Sequence, residues 1–284
     1  MTLVRLSSRS VLARRRPGAV VMLWAWDAAL GLVLGSSVAS VASSRYGHHP
    51  DGDAPLWAPG GLDLLDLAHQ SMAARGPLLS AALVVVVAAR LAGLLPSAAV
   101  FAELLFTTRA RRAPPWREAV SHGILALPAS FTLEIFTLAA QASVVMLGVV
   151  AVAAASASAT ATFGDRGGDI VLASVGLASL AAATVVGAIG DLARAAVVRW
   201  DARALVAGKR GLESFAARPA ALTWSFAWRA LSSWVPVAIG AWLAGRIGGR
   251  GGASLLVLGA FHQGVVLVRA AVRASWMARA LRAV

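Results

Sequence analysis

Cysteine is absent from the 284-residue chain, and charged residues make up only 14% of it. The absence of cysteine excludes disulfides, thiolate metal sites and cysteine nucleophiles. The low charge content excludes an ordinary soluble domain, in which about 25% of the residues are charged. Hydrophobic residues account for 58% of the chain, and its mean hydropathy is +0.73. This composition indicates an integral membrane protein.

Recognised catalytic and cofactor-binding motifs are also absent. The sequence holds no Walker loop, no Rossmann glycine fingerprint, no His-Glu-x-x-His zinc pair and no Gly-x-Ser-x-Gly elbow. His48 and His49 precede Asp51 and Asp53, but their Gly- and Pro-containing setting favours an exposed loop over a metal site. The sequence therefore predicts neither catalysis, a cofactor nor a bound metal.

Six apolar runs are present instead, each long enough to cross about 30 Å of hydrocarbon as a helix. Proline begins four of them (Pro17, Pro77, Pro128 and Pro219), as is typical of a first helical turn. We therefore predict an all-α, polytopic membrane helical bundle that forms a single integral membrane domain over residues 1–284. The predicted spans are 17–43, 77–106, 128–154, 170–192, 219–243 and 253–275.

The basic residues give these spans one orientation. Of the 26 lysines and arginines, 19 lie in segments that are cytoplasmic if the N-terminus is inside, 5 lie in outer segments and 2 lie within spans. Cytoplasmic loops are enriched in Lys and Arg, so both termini are predicted to be cytoplasmic. These basic residues are divided among four separate cytoplasmic segments. The net charge of +13 therefore favours anionic lipid headgroups as a partner and argues against nucleic acid. A cleaved signal peptide is the alternative for the first span, but Asp27 interrupts its apolar run.

Two pairs of similar segments suggest an internal repeat. Arg16-Pro17 and Arg218-Pro219 are followed at equal spacing by Trp26-Asp27 and Trp228-Arg229, while the segments after spans four and six end alike. We expect three tandem two-helix hairpins, each preceded by an interfacial amphipathic helix at 3–16, 116–127 or 203–218. A further interfacial helix is predicted at 62–72 on the outer surface.

Ionisable or polar groups inside a membrane span are candidates for a functional site. Asp27 and Arg229 occupy equivalent positions near the predicted midplane, so we expect them to pair, with Arg90 as a competing partner. Such groups form either a polar or proton-coupled pathway, or structural ion pairs that fix helix packing. The candidates are Asp27, Arg90, Glu103, Glu134, Arg229, His262 and Gln263.

The Arg-Pro entrances at 16–17 and 218–219 and the exits Asp191-Leu192-Ala193-Arg194 and Trp276-Met277-Ala278-Arg279 resemble those of uncharacterised six-span bacterial integral membrane proteins. They are more distantly similar to the membrane domain of glycerophosphoryl diester phosphodiesterases. The middle hairpin departs from the pattern because Leu127 precedes Pro128. The resemblance implies that the protein is located in a bacterial inner membrane. It does not imply phosphodiesterase activity, because no catalytic domain is present.

The function expected from these features is that of a non-catalytic scaffold or accessory membrane subunit, with a membrane-protein partner or a second copy of the chain. A permease-like transporter with a polar midplane site is the alternative, and a membrane-embedded enzyme is the third. Closed ion pairs would favour the scaffold, whereas charges that line one cavity would favour the transporter.

Overall fold

The computed structural model describes residues 17–46, 75–106, 116–247 and 252–284, of which 97% are helical and none forms a strand. The predicted all-α helical bundle is thereby confirmed. The residues of the predicted interfacial helices at 3–16 and 62–72, and His48, His49, Asp51 and Asp53, lie outside the described part of the chain. The helices are α1 (Pro17–Tyr46), α2 (Arg75–Ala92), α3 (Leu94–Phe106), α4 (Trp116–Trp200), α5 (Ala204–Ala217), α6 (Pro219–Ile247) and α7 (Gly252–Ala283).

Each of the six predicted spans lies on helical backbone. In the described residues, four helical segments are long and apolar enough to cross a membrane: Val84–Leu105, Trp116–Ser156, Ser158–Trp200 and Leu256–Ala283. They correspond to predicted spans two, three, four and six. The apolar described part of α1, Pro17–Val33, is shorter. Predicted span five lies on α6, which is not one of these four segments.

Helix α4 is a hairpin of two helical arms, 116–163 and 165–200, that reverse direction at Gly164. Gly164 has φ 69° and ψ 173°, a backbone conformation that is almost confined to glycine. The two arms lie side by side: Gln141 donates to the carbonyl of Ala183 across 2.9 Å, and Gly148 lies directly against Ser179. At 1.5 Å per residue the arms are about 72 and 54 Å long, well beyond the thickness of the hydrocarbon core.

The prolines differ in their positions. Pro17 and Pro219 begin α1 and α6 as predicted, but Pro128 lies inside the first arm of α4. The separate interfacial helix expected at 116–127 is therefore wrong, because this segment continues directly into the third span. Proline interrupts only one hydrogen bond of the helical ladder, the bond to the carbonyl of residue i−4, so a single proline does not have to end a helix.

The second span is bent between α2 and α3. Gly93 donates to Ala89 at 3.0 Å and Ser97 donates to Gly93 at 3.1 Å, so the hydrogen-bond ladder continues through the bend. Pro96 cannot donate to Ala92, and this missing bond is the physical cause of a kink. The bend places Arg90, at the end of α2, beside the start of the buried helix α3.

The buried residues are concentrated where α3, the end of α4 and the end of α7 meet. One hydrophobic cluster joins α1, α3, the second arm of α4, α6 and α7, with Leu23, Phe101, Leu192 and Leu281 at its centre. A second cluster joins α3, both arms of α4 and α5. Elsewhere the helices expose large apolar side chains, which suits contact with lipid. Examples are Leu147, Val150, Leu177, Leu180, Leu231, Ile239 and Leu256.

Within the predicted interfacial segment 203–218, residues 204–217 form helix α5. Ala207 and Gly211 are buried against α4, whereas Leu205 and Leu212 are exposed. Short turns separate α5 from the helices on either side, and Asp201 in the first turn has a positive φ.

The three-hairpin repeat stays a prediction.

Candidate functional site

Glu134 is the most deeply buried charged residue in the described part of the chain. Its exposed fraction is 0%, and it lies on the first arm of α4 about two turns after Pro128. One carboxylate oxygen, Oε1, accepts a 2.7 Å hydrogen bond from Nε of Arg90 on α2. The second oxygen forms an ion pair with Arg194 on the second arm. A single carboxylate thus joins three helical segments.

Asp191 extends this arrangement to the last helix. It forms an ion pair with Arg194, three residues later on the same arm, and its Oδ2 accepts a 2.8 Å hydrogen bond from Nε1 of Trp276 on α7. We refer to Arg90, Glu134, Asp191 and Arg194 as the ionic cluster. The cluster contains two acids and two bases, and therefore its formal charges cancel.

The helical periods of both arms bring the cluster together. Ser130, Glu134 and Thr137 are buried at spacings of four and three residues, which place them on one face of the first arm. Gly190 on the second arm lies against Thr137, where a Cβ atom would be 2.6 Å from Oγ1. This close contact lets the arms approach until Arg194 reaches Glu134.

Burial determines how these charges can act. Moving a charge out of water costs several kcal/mol, which is offset only when the geometry and the hydrogen bonds are good. The side chain of Arg194 is 11% exposed and that of Arg90 is 39% exposed, so Arg90 forms the rim of the cluster. Each carboxylate is engaged by donors from two different segments. Chemically, the cluster is suited to clamping helices together.

Arg273 on α7 lies near the ionic cluster without joining it. Its Nη2 donates to Oγ of Ser97 on α3 at 3.2 Å, and its charge acts electrostatically on Asp191 and on Asp27. Helix α7 therefore contacts α3 through Arg273, and it contacts α4 through Trp276.

The predicted pair of Asp27 and Arg229 is wrong: no salt bridge joins them in the described structure. Arg229 donates to the carbonyl and hydroxyl of Ser225, both at 2.6 Å, and to Ser275 Oγ at 3.1 Å. Asp27 is half-buried, and the cations that act on it are Arg269 and Arg273 of α7. The physical reason is that α1 and α6 each pack against α7. The competing partner, Arg90, binds Glu134.

The remaining candidate residues lie apart from the cluster. Glu103 on α3 is packed against Gly18 at the beginning of α1, where its Oε1 is 2.8 Å from the position of a Cβ atom. Gln263 on α7 accepts a 3.1 Å hydrogen bond from Nε1 of Trp24 on α1. His262 is exposed. Of the seven candidates, the structure therefore brings only Arg90 and Glu134 together in the cluster.

Three participants were not among the candidates. Arg194 is assigned by its sequence position to the cytoplasmic edge, and Asp191 and Trp276 belong to the similar exit segments. The i, i+3 spacing of Asp191 and Arg194 on a helix is a signal for an ion pair. Their contact with Glu134 has no such signal, because it depends on how the two arms pack.

In the described parts of α1 to α7, no three His, Asp or Glu side chains are grouped so that they could hold a metal ion. Comparisons with protein-family models, with curated proteins and with solved structures each found no match. The resemblance to the six-span bacterial proteins stays a prediction.

Proposed function

We propose that this protein is a non-catalytic scaffold or accessory subunit of the bacterial inner membrane, with its N- and C-terminal residues on the cytoplasmic side. The observation that carries the proposal is that the buried charges are engaged with one another. Glu134 is fully buried between Arg90 and Arg194, and Asp191 is held by Arg194 and Trp276. Such closed contacts fix the relative positions of four helical segments.

A transport site has different requirements. Its charged group must release its partner and become accessible from each side of the membrane in turn. The two carboxylates of the ionic cluster are each in contact with cations or donors from α2, α4 and α7. These features support a rigid membrane framework.

The proposal is tested by purifying the tagged full-length chain from its own membranes in a mild detergent. We expect a membrane protein, or a second copy of the chain, to co-purify in a fixed ratio and to dissociate only when the detergent is harsh. A mock purification from cells with the untagged chain controls for adherent proteins. Recovery of a lone monomer that moves a solute into proteoliposomes would overturn the proposal.

A carrier is the second candidate, and Asp27 is the observation that favours it. Its half-buried carboxylate lies within an apolar helix and forms no salt bridge with another described residue. If the protein is a carrier, Asp27→Asn removes the charge and transport in proteoliposomes is lost. If it is a scaffold, the same variant leaves the co-purified complex unchanged.

A further inference from the structure

A group of three arginines lies between the first half of α6 and the last turns of α7. Arg229 belongs to α6, and Arg279 and Arg282 belong to α7. All three side chains are half-buried. Within the described residues, none of the three forms a salt bridge with a carboxylate. We refer to Arg229, Arg279 and Arg282 as the arginine triad.

The helical register of α7 brings the arginine triad together. Ser275, Arg279 and Arg282 follow one another at spacings of four and three residues, which place them on one face of α7. Arg229 reaches this face, because its Nε donates to Oγ of Ser275 at 3.1 Å. Its Nη1 donates to the carbonyl of Ser225, one turn earlier on α6. The guanidinium group is thus directed towards the start of α6 and, since the two helices are antiparallel, towards the end of α7.

The charges of the arginine triad act on one another. The charges that act on Arg229 are those of Arg279 and Arg282, and Arg279 also acts on Arg282. These interactions are repulsive, and partial burial reduces their screening by water and salt. In the ionic cluster each cation faces a carboxylate, whereas the charges that act within the triad are all positive. An anion between the three side chains would convert this repulsion into attraction.

The arginine triad combines an oriented guanidinium group with an unused donor. Arg229 is held by Ser225 and Ser275, and its guanidinium carbon lies 4.9 Å from the centre of the Trp228 ring. Nε of Arg282 is buried and has no hydrogen-bond partner in the described part of the chain. A buried donor without a partner is costly, so an acceptor at this position would be stabilising. Oxyanions are the acceptors that guanidinium groups bind best.

We propose that the arginine triad binds the phosphate group of an anionic ligand between α6 and α7. Arginine clusters recognise phosphate, and basic sites between membrane helices at the cytoplasmic edge bind phosphate headgroups. The triad lies at the edge predicted to be cytoplasmic, because Ser275 ends the sixth predicted span. The phosphate belongs either to a phospholipid headgroup or to a soluble phosphate compound. This inference is independent of whether the protein has a scaffold or carrier function.

Binding is tested by the thermal unfolding midpoint of the full-length protein in detergent at constant ionic strength. Inorganic phosphate, phosphatidylglycerol and phosphatidylcholine are titrated separately. A rise with phosphatidylglycerol alone identifies a lipid headgroup as the source, and a rise with inorganic phosphate identifies a soluble one. We expect Arg282→Gln to weaken the apparent affinity about tenfold or more. Without ligand, the same variant should unfold at the wild-type midpoint or above it, because one of three mutually repelling charges is removed.

Arg203→Gln is the matched control for this variant. It removes the same charge from an exposed side chain at the start of α5, where that side chain makes no capping hydrogen bond. The control should retain nearly all of the stabilisation by phosphate or phosphatidylglycerol.

Four results would overturn the proposal. The first is no rise of the midpoint with either inorganic phosphate or phosphatidylglycerol. The second is equal stabilisation by phosphatidylcholine, which indicates a general effect of lipid. Equal losses of affinity in Arg282→Gln and Arg203→Gln indicate diffuse attraction to a charged surface. A midpoint that Arg282→Gln lowers equally with and without ligand indicates a structural role. If Arg282→Gln does not fold, Arg279→Gln takes its place, and full affinity in that variant contradicts the proposal.

Discussion

Glu134 illustrates how one side chain can determine the packing of several helices in an apolar surrounding. Its carboxylate is fully buried and is neutralised by Arg90 from one helix and Arg194 from another. A buried ion pair adds little net stability compared with a well-packed apolar substitute. Removal of one partner of the pair, however, leaves the other as an uncompensated buried charge. The cluster therefore specifies which helices meet, more than it adds to their affinity.

Replacement of Glu134 by glutamine tests this role directly. Arg90 and Arg194 would lose their shared counter-charge, so we expect Glu134→Gln to reduce the free energy of unfolding by about 3–5 kcal/mol. The free energy is measured by denaturation with sodium dodecyl sulfate in mixed micelles, and circular dichroism monitors the unfolding. Glu213→Gln removes an acid whose side chain is 62% exposed and whose ion-pair distance is 3.8 Å. That control should cost less than about 1 kcal/mol; equal losses in both variants would contradict a special role for Glu134.

At the residue scale, the sequence predicted which charges are unusual but not how they pair. Arg90 and Glu134 stand out because they lie in apolar runs, where charges are expensive. Their contact joins residues 44 positions apart, and it follows from helix packing that no local spacing encodes. The Asp27 and Arg229 pair was wrong for the same reason. Equivalent positions in a repeat do not imply that two helices touch.

At the scale of the elements, glycine determines the sharp turn within α4 and some of the closest contacts between helices. Gly164 ends one arm of α4 and begins the other. Gly211 of α5 and Gly123 of α4 lie directly against the backbones of Ala193 and Ala99 respectively. Small residues permit such contacts between membrane helices, and these contacts then hold the elements by close packing.

The hairpin turn can be tested at Gly164. Its φ of 69° and ψ of 173° lie in a region that an alanine side chain disfavours. We expect Gly164→Ala to lower the free energy of unfolding by about 1–3 kcal/mol, measured by the same denaturation in mixed micelles. Gly176→Ala is the control, since it lies in the second arm with nothing within 4 Å of its added methyl group. The control should be neutral or slightly stabilising; if it lowers stability as much, strain at Gly164 is not the cause.

Packing of α5 against α4 depends on Gly211. A Cβ atom there would lie 2.8 Å from the backbone nitrogen of Ala193, which cannot move without shifting the helix. We expect Gly211→Ala to cost about 1–3 kcal/mol through this overpacking. Gly264→Ala on α7 has open space around its added methyl group and provides the comparison. Retention of full stability by Gly211→Ala would show that α5 can move away from α4 at little cost.

At the scale of the whole molecule, composition and hydropathy predicted the fold class well. The all-α bundle is confirmed, because runs of about 20 apolar residues have few alternatives to helices in a bilayer. The joins between elements were harder to predict. The segment 116–127 continues through Pro128 into the third span, and α4 forms a hairpin around Gly164. These joins depend on single hydrogen bonds and on one unusual backbone conformation, neither of which changes the hydropathy.

Orientation in the membrane is also a property of the whole molecule, and the absence of cysteine makes it easy to test. Each single-cysteine variant reports one position. Arg166→Cys lies next to the α4 turn and should react with a membrane-impermeant maleimide from outside intact spheroplasts. Lys209→Cys on α5 should react only after permeabilisation. Labelling in the reverse pattern would contradict the orientation predicted from the arginine distribution.

The contact between Asp191 and Trp276 has a consequence for biosynthesis. The two residues are 85 positions apart, and Trp276 lies on the last helix. While the ribosome is still adding α6, Asp191 and Arg194 have already been made, but the indole that binds Asp191 does not yet exist. The nascent chain must therefore keep a charged, incompletely covered segment near the translocon until α7 emerges. Asp191 therefore gains its contact with α7 only after all four members of the ionic cluster have been made.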